Sequence, residues 1–375
     1  MFSSILAPDK LTLNSGNGSA PTKSSQKRIL FFTRGRGRGH AIPDIQIVEE
    51  LGKLSQPTEV QFVSYGTGAA TLRESGCHVI DLGFSDDNNF FDTLVAAQKC
   101  ICEFSPDLVV SHEEFAAVPA AHMHGARVVF ITDWFLDGSD MFMQSIRYSE
   151  QVLFIGRRGI FPEPDYLKGR VHYVGDIVRP FAYGLSDRAK ARERLDLEED
   201  CLVVSVIPGR WANEKRAPLF ELVLSAVKDI PRSRKRLIWI AGSDYNTILS
   251  HAWKHRFLKV YPHYDPIEAV MVASDVVITK ANRGTTIETD ELGVPSISLS
   301  FGSNFIDDLI ISQLKNNLAL NARAVDGQYL RDAICMRAAQ SRSNERERPP
   351  AQSNANARRA AELLVDALPV MKVAS

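Results

Sequence analysis

The chain has 375 residues, of which 45% are hydrophobic and 24% charged, and a formal net charge of -1. That length exceeds one ordinary hydrophobic core and points to two domains. The near-zero charge excludes a global field that would draw the whole chain to nucleic acid or an anionic bilayer. Cys77, Cys100, Cys102, Cys201 and Cys335 are odd in number and form no CxxC pair. A disulfide framework or zinc site is therefore not expected, and the usage is that of a reducing cytoplasm. No apolar run reaches the roughly 18 residues of a membrane span.

Residues 1–26 are rich in Ser, Gly, Asn, Pro and Thr and read as a disordered leader without the layout of a secretory signal. The apolar run Ile29–Phe32 reads as a buried strand entering the loop Arg34-Gly-Arg-Gly-Arg-Gly-His40. Ile42, Ile45, Ile47, Val48, Leu51 and Leu54 then recur at helical spacing, with Pro43 in the first turn. Strands follow at 60–64, 79–82, 107–111, 127–132 and 151–155, and helices near 66–75, 89–103 and 116–124. These compose an N-terminal domain over 27–180, and the segment from Pro180 to Ser186 reads as a linker. A second domain over 181–340 has strands at 201–207, 236–241, 275–279 and 296–300, and helices at 217–228, 266–273 and 285–292. An exposed polar loop is expected over 341–356 and a last helix and tail over 357–375. Continuously apolar strands alternating with helices predict two α/β domains, each a Rossmann-like parallel sheet covered on both faces.

Ligands of such sheets sit beyond the carboxyl ends of the strands. Gly35, Gly37 and Gly39 let backbone amides approach an anion at a helix start, with Arg34, Arg36 and Arg38 to neutralise it. The loop lacks the third glycine of a dinucleotide fingerprint, and no Gly-Lys-Ser/Thr makes it a P-loop. It follows a buried strand rather than lying in a tail, so no nucleic-acid partner is expected. His40 closes the loop as a general base or as a helix cap. A second polar turn, Lys280 to Gly284 with Asn282 and Arg283, precedes a helix near Thr285. Its first amides, with the Thr285 and Thr286 hydroxyls, suit a diphosphate, and Glu288 is either a ribose acceptor or an acid complementing the helix dipole. Glu113, Glu114 and Asp133 also stand at strand ends, as ligand contacts or as helix acids and caps.

Asp275, Lys280, Thr285, Glu288, Gly293 and Pro295 fall in register with the donor-binding signature of the GT-B glycosyltransferases. The chain resembles that fold family, and within it the MurG-type (family 28) UDP-N-acetylglucosaminyltransferases. The resemblance implies two Rossmann-like domains facing across a cleft. It implies that Glu288 grips the ribose of a uridine nucleotide while residues 282–286 wrap the diphosphate. Asp307 and Asp308 stand where the family has a polar pair that holds the donor sugar; otherwise they cap a helix through Leu309 to Leu318. The family loop Gly-Gly-Thr-Gly-Gly-His is matched by Gly35, Gly37, Gly39 and His40, with arginines at 36 and 38. His40 is thereby the implied general base. Val174-Gly175 and Arg179 resemble the interdomain crossing, which directs Arg179 to the diphosphate. Gly209 and Arg210 occupy the place of a phosphate-contacting turn, and Glu113, Glu114 and Asp133 fall on the acceptor side.

The implied reaction is inverting, metal-independent transfer of a hexose or N-acetylhexosamine from a UDP-sugar to a hydroxyl of a small-molecule or lipid-linked acceptor. The UDP-sugar is a co-substrate, no other cofactor is called for, and no metal site is expected. The chain is expected in the cytoplasm, with peripheral contact at the inner face of the membrane left open. A UDP-sugar hydrolase of the same fold and a non-catalytic nucleotide-sugar-binding subunit are the alternatives.

Overall fold

The computed structural model describes residues 26–85, 90–135, 141–208, 217–281, 283–302, 305–343 and 353–369. The expected leader up to residue 25, the Gly209–Arg210 turn, Asn282 and loop residues 344–352 lie outside the described residues. The N-terminal half alternates β1 (Lys27–Thr33), α1 (Ala41–Leu51), β2 (Thr58–Ser64), α2 (Gly66–Glu74), β3 (Val79–Asp81), α3 (Phe90–Phe104), β4 (Leu108–His112), α4 (Ala117–Met123), β5 (Arg127–Thr132), α5 (Met141–Ser145), β6 (Gln151–Phe154) and β7 (Val171–Tyr173). The C-terminal half continues with α6 (Arg188–Arg194), β8 (Leu202–Ile207), α7 (Ala217–Lys228), β9 (Lys235–Ile240), α8 (Tyr245–Ala252), β10 (Leu258–Tyr261), α9 (Ile267–Ala273), β11 (Val276–Lys280), α10 (Arg283–Leu292), β12 (Ser296–Ser300), α11 (Phe305–Ser312), β13 (Asn317–Asn321), α12 (Gly327–Ser343) and α13 (Ser353–Ala367).

Among the described residues these form a seven-stranded sheet, in the order β3-β2-β1-β4-β5-β6-β7, and a six-stranded sheet, in the order β10-β9-β8-β11-β12-β13. The pairings are parallel. The period-2 alternation of a strand assigns its side chains to opposite layers. Ile29 and Phe31 of β1 join a cluster with Ile45 and Ile47 of α1, whereas Leu30 and Phe32 join Ala97 and Ile101 of α3 and Val118 of α4. In the second sheet Val204 and Val206 pack with Val223 and Val227 of α7, and Val203 packs with Val270 and Val272 of α9. Both faces of each sheet are covered, which is why the strands read as unbroken apolar runs.

Three elements differ from the sequence reading. The helix expected through Leu309 to Leu318 ends at Ser312, and Asn317–Asn321 adds a sixth strand instead. The Asn317 side chain accepts hydrogen bonds from Ser296 and Ser298 of β12, a tertiary pairing that no local pattern displays. The last turn of α12 covers residues expected to be loop. Finally, α13 returns to the first domain, where Ala357, Ala360, Ala361 and Leu364 pack against the α1 face of the β1 sheet. Gly175 makes this return possible: its φ is +87, and a Cβ there would lie 2.7 Å from the Asn356 amide of α13.

Beneath the carboxyl ends of β1 and β4 lies a buried polar knot. Asp44 of α1 accepts a hydrogen bond from Thr33 Oγ1 at 2.6 Å, and its other oxygen lies 2.8 Å from Nδ1 of His112. Burial lowers the His112 pKa, but the Asp44 charge and hydrogen bond outweigh it, leaving the value raised. The hydrogen-bonded pair fixes the start of α1 against the end of β4.

Two outcomes are expected. Leu364→Ala empties a fully buried site and should destabilise the N-terminal domain by about 3 kcal/mol; domain-resolved hydrogen exchange measures whether the loss stays there. Asp44→Asn should cost about 3 kcal/mol by stranding a buried partner. Because the folded His112 pKa is raised, this difference should be full below about pH 6.5 and fade as pH rises through the folded value. Urea melts of both proteins across pH measure it.

Candidate functional site

In each sheet the strand order reverses direction at one place, between β1 and β4 and between β8 and β11. Crevices for ligands open at such switch points. The glycine loop follows β1, Glu113 and Glu114 follow β4, Asp133 follows β5, and α10 follows β11. A cavity of about 370 Å³ lies between the two sets of loops. Arg36, Gly39, His40 and Asp133 line it from the N-terminal domain, and Arg283, Gly284 and Asp307 from the C-terminal domain. One wall is apolar, formed by Ile160, Ile177, Val178, Ile287, Ile310 and Leu314.

The loop glycines differ in their reasons. A Cβ on Gly35 would stand 2.2 Å from the Tyr65 carbonyl, so the loop packs directly on the turn after β2. Gly37 has φ +70, which favours glycine. A Cβ on Gly39 would meet nothing within 4 Å, consistent with its place on the cavity wall.

Nε2 of His40 lies 2.9 Å from Oε2 of Glu113. An ionised carboxylate only accepts, so Nε2 carries the hydrogen and Nδ1 is left with the lone pair. Burial lowers the His40 pKa, and Glu113 opposes this without restoring it, so the ring is neutral at neutral pH. Burial acts to raise Glu113, but His40, Arg283 and His112 outweigh it and hold the carboxyl well below the usual range. The other Glu113 oxygen accepts from Thr132 Oγ1 at 3.0 Å, and Arg34 approaches to 3.6 Å. Glu113 itself has φ +54, a conformation costly for a side chain with a Cβ and typical of functional positions. The His112 ring stands edge-on to His40, with centroids 4.8 Å apart. Nδ1 of His40 is buried and has no hydrogen-bond partner among the described residues.

Besides the Arg179–Glu288 pair, two ion pairs among the described residues join strand-end loops of the first domain to α10. Arg283, its first residue, pairs with Asp133, which burial first and the Glu113 charge next push up to about 7. Arg157, in the loop after β6, pairs with Asp290 at 3.0 Å and donates to the Gln313 carbonyl at 2.9 Å. Ile310 of α11 completes the contact, buried in the cluster that holds Phe154 and Phe161.

The sequence-derived candidates divide accordingly. His40, Arg36, Gly39, Asp133, Arg283, Gly284 and Asp307 meet at the cavity. Glu113, expected as an acceptor contact or a helix acid, is the hydrogen-bond partner of His40, because β1 and β4 are sheet neighbours and their loops lie side by side. Glu114 stands behind the loop beside Tyr65, pushed by burial up to about 7. Thr286 is a correction: it is 0% exposed and shares its hydroxyl with Thr279 and Ser298, bracing α10 rather than facing a ligand. Arg38 turns away from the cavity to Glu74. Glu288 and Arg179 pair with each other at 2.9 Å beside the cavity, and Arg179 also reaches Glu268 at 3.4 Å. Lys280, Thr285 and Asp308 lie nearby without lining the cavity. The sequence reading missed Arg157 and Asp176, both cavity-lining. Arg157 follows a strand end and Asp176 lies inside the crossing motif, so the strand-end rule was the signal available.

No family model matches the chain. A curated UDP-N-acetylglucosamine--N-acetylmuramyl-(pentapeptide) pyrophosphoryl-undecaprenol N-acetylglucosamine transferase of Finegoldia magna is 25% identical over 291 residues, 72% of this chain and 76% of the relative. Among solved structures, the glycosyltransferase of kitacinnamycin superposes with a TM-score of 0.69 at 17% identity, covering 92% of this chain and 100% of its own. MurG of Acinetobacter baumannii superposes with a TM-score of 0.63 at 13% identity, covering 91% and 99%. UDP-N-acetylglucosamine 2-epimerases share the fold as well, so the fold by itself does not choose the reaction. The chain is thus similar in sequence to curated N-acetylglucosamine transferases and shares its fold with MurG and other glycosyltransferases.

Proposed function

We propose that the chain transfers N-acetylglucosamine from UDP-N-acetylglucosamine to an acceptor hydroxyl, with inversion, His40 as general base and no metal ion. The observation that carries this reading is His40 on the wall of the cavity that the first turn of α10 also lines, with its Nδ1 lacking a hydrogen-bond partner among the described residues. The donor is the one that the curated relatives' names state, and those names also specify a lipid-linked acceptor. The apolar wall of the cavity suits an acceptor with an apolar portion.

In the proposed step the acceptor oxygen bonds to the anomeric carbon as the bond from that carbon to the diphosphate oxygen breaks. The acceptor proton passes to His40 Nδ1. Attack from the face opposite the leaving group inverts the centre. Glu113 accepts the Nε2 hydrogen, holds the productive tautomer and stabilises the imidazolium that forms, much as a buried carboxylate does in a hydrolase triad. UDP leaves with its growing charge met by the first amides of α10 and by Arg283. Those groups supply positive potential where a metal ion would otherwise be required. Glu288, steadied by Arg179, is assigned to the ribose hydroxyls, and Asp307 to the sugar.

His40→Ala should lower kcat by about 10²- to 10⁴-fold, the range of a positioned general base, with little change in UDP affinity. The acid limb of the kcat profile should lie below about pH 6.5, because burial lowers the His40 pKa and activity is lost only when Nδ1 takes a proton. Glu113→Gln removes the charge that raises that value, so its limb should move further down while kcat falls. Glu288→Ala should weaken UDP binding by calorimetry. UDP release that is unaffected by added lipid-linked acceptor would indicate hydrolysis instead of transfer; a wild-type rate retained by His40→Ala would remove the base from His40.

A further inference from the structure

Two side chains that meet across the cleft each keep one buried polar atom without a hydrogen-bond partner among the described residues: Oδ1 of Asp133 and Nη1 of Arg283. Arg283 uses Nη2 for Asp133 and lines the cavity. It is also the first residue of the ten-residue helix α10, whose leading amides have no partner within the helix. Beside it Gly284 is exposed, and a Cβ there would meet nothing within 4 Å, so a ligand can approach the backbone. A buried guanidinium nitrogen at the positive end of a helix suits an oxyanion. Arginine has several rotatable bonds and loses much freedom when fixed, so a partner that holds one edge of the guanidinium prepares the other. That partner comes from the other domain.

We propose that Asp133 is a positioning residue for Arg283, and that the pyrophosphate site is therefore composite: α10 supplies the amides and the guanidinium, and the N-terminal domain supplies the carboxylate that aims the guanidinium. This rests on the donor reading above and extends it. Oxyanion binding is thereby linked to the approach of the two domains, because separating them leaves Arg283 without its anchor. It also gives Asp133 a role on the donor side, although its loop belongs to the acceptor-side domain.

Calorimetry of UDP binding to the wild type, Asp133→Ala, Arg283→Ala and the double variant tests this. Simple charge removal predicts that Asp133→Ala tightens a polyanion. The positioning role predicts the opposite: Asp133→Ala weakens UDP at least about fivefold, Arg283→Ala about tenfold or more, and the double variant no more than Arg283→Ala alone. Asp133→Asn, which still accepts from the guanidinium, should recover part of the loss, and Arg283→Lys, which keeps charge without the fork, should fall between. Melting temperatures of the unliganded variants show whether each one folds. Tightening or no change in Asp133→Ala, or losses that add in the double variant, overturns the proposal. A wild type that binds UDP yet gives either of those results leaves the donor reading standing. A wild type that binds neither UDP nor UDP-sugars removes both.

Discussion

His40 and Glu113 lie 73 residues apart in the chain and share a hydrogen bond because β1 and β4 are neighbours in one parallel sheet. The register Thr33↔His112 brings both strands to an end at the same level, so the two loops leave side by side. The rest of the site depends on this adjacency. It sets the tautomer of His40, gives the ring a buried counter-charge and places the residue on the cavity wall. The Asp44–His112 pair beneath stops α1 and β4 from sliding relative to each other.

The site is a concentration of buried charge, which a protein tolerates only when the groups offset one another. Against its burial, His40, Arg283 and His112 hold the Glu113 carboxyl well below the usual range, and Arg34 approaches it as well. Asp133 lies in the same cluster, where burial and the Glu113 charge favour its protonated form and Arg283 opposes them. Two carboxyls in one cluster are thereby pushed in opposite directions, one firmly anionic and one titrating near neutrality.

The two domains are not independent platforms. Arg157–Asp290 and Asp133–Arg283 both cross from the first domain to α10, and Ile310 inserts into the first domain's core cluster. The helix α13 then returns to the first domain, and Asn356 donates to the Asp176 carbonyl at the crossing segment. The C-terminal helix thus buttresses the segment along which the domains would move.

The alternation of apolar strands and helices was legible in the sequence because each strand is covered on both faces and each helix on one. The Asp275 to Pro295 signature and the His40 loop were legible because a strand end, a turn and a helix start are contiguous in the chain. Asp275 itself, at the opposite end of β11, binds Arg188, Arg192 and the Val203 amide and so is structural. The inward turn of Thr286, the strand at Asn317–Asn321 and the destination of α13 were not legible, since each depends on a partner distant in sequence. The sequence by itself determined two doubly covered parallel sheets and which loops stand at their carboxyl edges, since periodicity and turn chemistry are local. Only the tertiary structure decided that Glu113 serves His40 and that Asp133 holds Arg283, because strand order and domain closure bring together charges whose attraction has no trace in local sequence.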